Sequence, residues 1–348
     1  MPTFPRIHVI GANGSMGGAV LAALARSPNY APGHLSMSVR GDNSFKALKE
    51  AYPEAYLRRP FDRHDPALGV DVLLLAMKPS QFAEAALQYT TSMQYHGSRN
   101  PLVLSLLAGT TVRQVGEALG ARNVVRAMPN QGAQVGCSAT GVYAPPHIAE
   151  AHKRTVEQLL RAIGSLTWVA NEDHMHGVTA CAGSGTGFVF EMMHRLENNA
   201  RQAGQGEQQA RAHAIGTVAD GLAALQSQAP GAAATPNAQL VRDCMEAAVN
   251  GLPPDGLPKE TARALVAETF HGAVELARST SLPFPELIRQ VASPGGTTEA
   301  GLNAMARRPT VEAFAGAVAA ASARSVDMAT KGSPTRQLAS EAKPGPAM

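Results

Sequence analysis

Ser293-Pro294-Gly295-Gly296-Thr297-Thr298, close to one end of the chain, has the composition of an anion cradle. Two glycines let the backbone turn tightly and leave its N–H groups uncovered. Two threonines follow, and Glu299 to Ala306 reads as a helix. A glycine turn that opens a helix points free N–H groups and the positive end of the dipole in one direction. A threonine hydroxyl there can donate a proton or a hydrogen bond to whatever sits beside the anion. The chemistry implied is recognition of a small acid with a polar group next to its carboxylate. A helix cap after a turn has the same local pattern, so the remainder of the chain decides between them.

A second glycine turn stands near the other end. Ile7 to Ile10 is a short apolar strand, Gly11-Ala12-Asn13-Gly14-Ser15-Met16-Gly17-Gly18 comes next, and Ala19 to Arg26 has helical spacing. Strand, glycine turn and helix form the context of a pyrophosphate site, with Gly11, Asn13, Gly14, Ser15, Met16 and Gly17 as the contacts. The pattern is irregular: aligned on Met16-Gly17, the first fingerprint glycine becomes Ala12, with Gly11 just before it. Leu35 to Val39 is the second strand. Arg40 stands where an NAD-type site places an acidic residue, with Asn43, Ser44 and Lys46 nearby. A positive, hydroxyl-rich turn suits a 2′-phosphate, which favours NADPH, with NADH as the alternative. Asp42 works against that preference.

Asp71 to Met77 is a continuous apolar run, as in a buried parallel strand, and it ends at Lys78-Pro79. Leu102 to Leu107 ends at Ala108-Gly109-Thr110, and Asn123 to Ala127 ends at Met128-Pro129-Asn130. Ligands of open α/β sheets bind beyond such strand ends. The cofactor set is thus extended to Ala76, Lys78, Pro79, Ala108, Gly109 and Asn130. Ser138 to Tyr143 and Ser165 to Val169 add strands, and Trp168 reads as core.

From Glu172 onward the strand signals stop. Gly183-Ser184-Gly185-Thr186-Gly187-Phe188 reads as a loop leading into a helix from about Val189 to Ala200, its glycines dense enough for close helix packing or for backbone approach to a ligand. Gln202 to Gln228 has a helical pattern, and 229–237 is a loop by composition. Leu257-Pro258-Lys259-Glu260 starts a helix that continues through Thr261 to Ser279, and Thr310 to Met328 is the last helix. The fold class expected is an α/β Rossmann domain, residues 1–171, followed by an all-α dimerisation and substrate domain, residues 172–330. Residues 331–348 read as a disordered tail.

The 348 residues suffice for two domains with substantial cores. A net charge of +3 gives no argument for a nucleic-acid partner. Cys137, Cys181 and Cys244 lack metal-ligand spacing, so no metal is expected and a reducing cytoplasmic setting is. No apolar run reaches membrane-spanning length, and the first residues enter a strand directly, which leaves no room for a signal peptide. His174 and His176 read as surface or helix-cap residues.

With these motifs in order, the chain resembles the pyrroline-5-carboxylate reductase family. The matching stretches are 9–17, 71–79, 105–109, 126–130, 179–188, 257–276 and 291–301, and Ser293 to Thr298 is the most specific. The resemblance implies NADPH-dependent reduction of 1-pyrroline-5-carboxylate to L-proline, the last step of proline biosynthesis. It also implies a homodimer, or a higher oligomer of dimers. By the same resemblance Thr298 is the catalytic residue facing the imine nitrogen, as a hydrogen-bond donor. Ser293, Gly295, Gly296 and Thr297 then hold the substrate carboxylate with it. Members of the family usually carry Gly-Ser-Gly-Pro-Ala-Tyr where this chain has 183–188, and 200–245 looks like an insertion. The alternatives are a reductase of another cyclic imine acid, such as a piperideine-carboxylate, and a catalytically weak NADP-binding regulatory protein. A β-hydroxyacid dehydrogenase would need an interdomain lysine, and Gly183 to Arg195 contains none.

Overall fold

The computed structural model describes residues 5–26, 34–39, 41–58, 70–95, 100–227, 231–306 and 308–331. Eight strands form one sheet: β1 (Ile7–Ile10), β2 (Leu35–Ser38), β3 (Tyr56–Arg58), β4 (Val72–Leu75), β5 (Leu102–Ser105), β6 (Val124–Met128), β7 (Ser138–Tyr143) and β8 (Gly164–Trp168). Their order is β3-β2-β1-β4-β5-β6-β7-β8. All neighbours run parallel except β6 and β7. Val9 sits between Met37 and Leu74, so the glycine turn after β1 lies at the carboxyl end of the sheet's middle. The helices among these strands are α1 (Ser15–Arg26), α2 (Asp42–Ala51), α3 (Phe82–Tyr95), α4 (Val112–Leu119) and α5 (Glu150–Leu160).

Period-two alternation splits the apolar strands between two cores. Val72, Leu74, Leu102, Leu104 and Val125 enter one cluster, and Leu73, Leu75, Val103 and Val124 the opposite one. This two-sided burial is why these strands read as unbroken apolar runs. The sequence reading missed β3, a short edge strand of three residues beside a stretch outside the described residues.

Eight more helices complete the chain among the described residues: α6 (His174–Val178), α7 (Gly185–Gln202), α8 (Glu207–Gln226), α9 (Pro236–Asn250), α10 (Lys259–Arg278), α11 (Phe284–Val291), α12 (Thr297–Met305) and α13 (Thr310–Lys331). A π-helix, Thr179–Gly183, joins α6 to α7. They share a core with Phe188, Phe190, Phe270 and Phe314 at its centre.

Two readings of this half differ from what is found. Residues 185–188 belong to α7 and form no loop. Of the two uses expected of their glycines, close helix packing is the one seen, since a Cβ on Gly185 would meet the Thr269 methyl at 3.0 Å. The loop expected over 229–237 ends early as well. Thr235 caps α9 by accepting the Ala238 N–H, and Pro236 occupies the first turn. Within 200–245, Ala214, Val218, Leu222, Val241 and Cys244 are buried in the helical core. The expected tail lies outside the described residues from 332 onward. Among the described residues, no helix is long and apolar enough to cross a membrane.

The sheet and the helices are tied through Arg126, a charge with no solvent contact. Its guanidinium lies 3.4 Å from Glu172, which also accepts the Val112 N–H at 2.7 Å. Burial lowers the Arg126 pKa and Glu172 opposes that shift; an arginine stays charged there. His176 nearby is held below its ordinary value by burial first and by Arg126 second. It bonds Ser325 on α13 at 2.9 Å and lines no part of the cavity at the strand ends, which fits a structural histidine.

Candidate active site

A cavity of about 610 Å³ opens at the carboxyl ends of β1, β2, β4 and β5. Gly11, Asn13, Gly14, Ser15, Met16, Ala76, Lys78, Pro79 and Ala108 of the expected cofactor set line it. Gly11 accounts for the irregular fingerprint. Its φ is +86°, and a Cβ there would meet the Met77 backbone nitrogen at 2.7 Å. The residue before the expected position therefore does the turning, and Ala12 is buried. Gly17 does not line the cavity; its Cα packs α1 onto the turn, where a Cβ would collide with the Gly11 carbonyl oxygen. The first-turn N–H groups of α1 have no partners within the helix and end at this turn.

Two other expected contacts sit elsewhere. Gly109 faces the Met328 Cβ on α13. Asn130 is buried, accepts the Gly132 N–H and donates to Thr269. Arg40 lies outside the described residues. Beside that position, Asn13 Nδ2 donates to Ser44 Oγ at 2.9 Å, joining the first turn to α2.

Among the lining groups that escaped the sequence reading, three are polar side chains of note. His8 on β1 is buried and bonds Ser36 at 2.9 Å and Ser38 at 3.2 Å. Polar residues at alternate positions of otherwise apolar strands were the available signal. The Tyr89 hydroxyl is buried in the wall with no hydrogen-bond partner among the described residues, and burial pushes its pKa up to about 12. Gln131 reaches from the cavity to α11, where its Nε2 donates to the Gln290 carbonyl at 3.2 Å.

The glycine turn, the uncovered α1 N-terminus, the orphaned Tyr89 hydroxyl and the cavity's size fit a dinucleotide. The phosphates would lie against Gly11 to Met16, and the ring end toward Ala76 to Pro79 and Ala108.

Ser293 and Gly295 lie in the turn before α12, Gly296 is its N-cap and Thr297 and Thr298 open it; all five lie outside the cavity wall. Gly295 has a φ of +67°. Its N–H donates to Glu299 at 2.8 Å, and its carbonyl accepts from Arg324 Nε at 2.8 Å. Thr297 and Thr298 are nearly buried, and both hydroxyls meet the buried Ser184, at 2.9 Å and 3.1 Å. A Cβ on Gly183, next to Ser184, would touch Met128 at 3.3 Å. The threonines are thus linked through Ser184 to the end of β6, and Gln131 ties the cavity to α11 just ahead of the loop.

One residue of this region is poorly served. The Thr186 hydroxyl is buried with no hydrogen-bond partner among the described residues. Leaving a buried hydroxyl unpaired costs about 1–3 kcal/mol, and valine has nearly the same shape. Thr186→Val is expected to raise stability by about 1 kcal/mol, seen as a melting point higher by about 2–4 °C. A lower melting point would show that the hydroxyl has a stabilising role.

Fold and cavity together define a Rossmann-type, dinucleotide-binding oxidoreductase with a helical second half. That half, over residues 172–239 and 237–328, matches the family profile described as pyrroline-5-carboxylate reductase dimerisation. Pyrroline-5-carboxylate reductase 2 of Bacillus subtilis is 28% identical over 302 residues, 86% of each chain. Among solved structures, a pyrroline-5-carboxylate reductase from Coxiella burnetii matches with a TM-score of 0.57 and 26% identity, over 93% of this chain and 98% of that one. The Plasmodium falciparum pyrroline carboxylate reductase with NADP bound shares the fold, with a TM-score of 0.55 and 18% identity over 94% and 99%. The helical half thus matches the family's dimerisation domain, and the chain as a whole is similar to pyrroline-5-carboxylate reductases.

Proposed function

We infer that this protein reduces 1-pyrroline-5-carboxylate to L-proline with NADPH, the last step of proline biosynthesis. The observation that carries the reading is the hydroxyl cluster Thr297–Ser184–Thr298 at the start of α12, held against the end of β6. The helix start, with Gly296 as N-cap, offers N–H groups to a carboxylate, and Ser293, Gly295, Gly296 and Thr297 flank that place. Thr298 faces the ring nitrogen. NADPH supplies the hydride. The protein's part is to fix the carboxylate, align the imine carbon and exclude water. A protonated imine is already electrophilic, so no strong side-chain base is required.

Several finer assignments belong to this reading. Gly11, Asn13, Gly14, Ser15 and Met16 hold the pyrophosphate, and Gly17 supports their turn. Arg40 takes the 2′-phosphate. Ala76, Lys78, Pro79 and Ala108 border the nicotinamide, with Gly109 and Asn130 shaping the strand ends behind them. The division between the two units falls at 171/172. The helical half joins two copies into a homodimer, the unit of any higher oligomer, in the cytoplasm.

The direct test monitors NADPH oxidation with 1-pyrroline-5-carboxylate, beside NADH and beside a piperideine-carboxylate. Turnover is expected to be fastest with the five-membered imine and NADPH. Turnover confined to the larger ring would move the substrate. Tight NADPH binding with no turnover of either would make the protein a regulatory binder.

A further inference from the structure

We propose that the helical half is a tandem repeat of one two-helix unit, α7–α8 followed by α9–α10, and that the repeat completes the active site inside a single chain. The second pair delivers the Ser293–Thr298 loop to the cofactor cavity of its own sheet. A second copy of the chain adds no group to that site, so a homodimer built on other faces leaves it as it is. The inference rests on the reading of this loop as the substrate end.

Helices α8 and α10 each run for 20 residues. Laid end to end, they share Ala-Arg-Ala, at 210–212 and at 262–264. Every residue buried in α8, from Ala210 to Leu222, falls on a residue buried in α10, from Ala262 to Val274. Thr217 falls on Thr269, and each hydroxyl donates to the carbonyl one turn earlier, that of His213 at 2.9 Å and that of Leu265 at 2.7 Å. The helices before them agree as well. Aligned on their last residues, Gln202 and Asn250, α7 and α9 bury Phe190, Met193 and Ala200 opposite Ala238, Val241 and Ala248. The dimerisation profile falls on this half in two overlapping stretches, the first spanning α7–α8 and the second running from α9 onward. An unrelated insertion has no reason to repeat a length, a buried register and a side-chain bond.

The two pairs cover each other crosswise, α7 on α10 and α9 on α8. Gly185 of α7 lies against Thr269 of α10, and a Cβ on Gly221 of α8 would sit 2.6 Å from the Val241 side chain of α9. Each unit leaves an apolar face that its neighbour must bury. A unit that meets a tethered copy of itself does so at an effective concentration of about a millimolar, so these faces close within the chain.

Only the second pair meets the sheet. Leu265, Thr269, Gly272 and Leu276 share one buried face of α10. A Cβ on Gly272 would collide with the Cys137 carbonyl oxygen just before β7. The same positions in α8 are His213, Thr217, Asp220 and Ala224, and His213 and Asp220 are exposed. Helix α8 thus offers no face to a second sheet. From α10 the chain runs through α11 into the loop. There Thr297 and Thr298 meet Ser184 of the same chain, and the Gln290 carbonyl accepts from Gln131.

Ser184→Cys combined with Thr297→Cys tests this arrangement without any turnover. The two hydroxyl oxygens lie 2.9 Å apart, so the thiols that replace them should join on oxidation with diamide. The expected product on a non-reducing gel is a single chain that migrates faster than its reduced form. A covalent dimer overturns the proposal. Should the cysteines fail to join, mixed chains decide. Ser15→Asp puts a carboxylate at an exposed helix start, which suits the helix and repels the phosphates of the dinucleotide. It is co-expressed with Thr298→Val, and the pooled chains are assayed at limiting NADPH. A site made within each chain leaves less than about a tenth of wild-type turnover, since every chain carries a lesion. Recovery to about a quarter, the share that random pairing restores when sites form between chains, overturns the proposal. A wild type that reduces no imine fails the reductase reading alone, because the cross-link reports the repeat without it.

Discussion

Thr298→Val is expected to lower kcat by about 10²-fold, the effect of losing one hydrogen-bonding group at a reacting centre. NADPH affinity should stay within about twofold, because Thr298 lies outside the wall of the cofactor cavity. Valine keeps the branched shape, so the methyl packing against Gly187 survives and only the hydroxyl is lost. That hydroxyl makes one protein contact, to Ser184. Serine at 184 keeps its Thr297 partner, so the fold should barely respond. The measurement is steady-state kinetics with both substrates varied, beside a direct NADPH titration. A loss of cofactor binding would show that the threonine loop supports the dinucleotide, and the assigned roles would have to be exchanged.

A larger structural effect is expected from Gly17→Val. The Gly17 Cα lies against the fingerprint turn, and an added Cβ would collide with the Gly11 carbonyl oxygen and press on Ala12 Cα at 3.1 Å. Both are backbone, so neither can swing aside. Gly11 cannot retreat either, because it is already packed on Ala76 and Met77. Helix α1 must lift off the turn, and overpacking of this kind costs about 1–3 kcal/mol. The melting point should fall by about 3–10 °C and NADPH affinity by more than about tenfold. Gly18→Ala is the control. A Cβ there meets the Ala12 carbonyl oxygen at an ordinary 3.6 Å, and alanine suits a helix better than glycine. Equal melting points and equal NADPH affinity in the Gly17 variant and the wild type would refute the packing argument.

The elements that could be read from the chain are those whose patterns are local. Val72–Leu75 and Leu102–Ser105 announce themselves because a strand buried on both faces must be apolar at every position. The α1 turn is legible because only glycine accepts a φ of +86° and a backbone 2.7 Å away. Helix α9 went unread although Thr235 and Pro236 are good start signals, because the alanines and glycine before them have the composition of a loop. The π-helix was not legible at all. Its extra residue carries no composition of its own and is stabilised by the packing around it.

The sequence by itself determined the class of chemistry: two glycine turns at helix starts, one suited to a pyrophosphate and one to a small carboxylate, with hydroxyls beside the second. Those are properties of neighbouring residues and of backbone torsions. The tertiary structure decided which groups meet. Ser184 and Thr298 are 114 positions apart, and Gln131 and Gln290 are 159 apart. No local pattern encodes such pairs, because they depend on how α7, α11 and α12 pack on the end of β6.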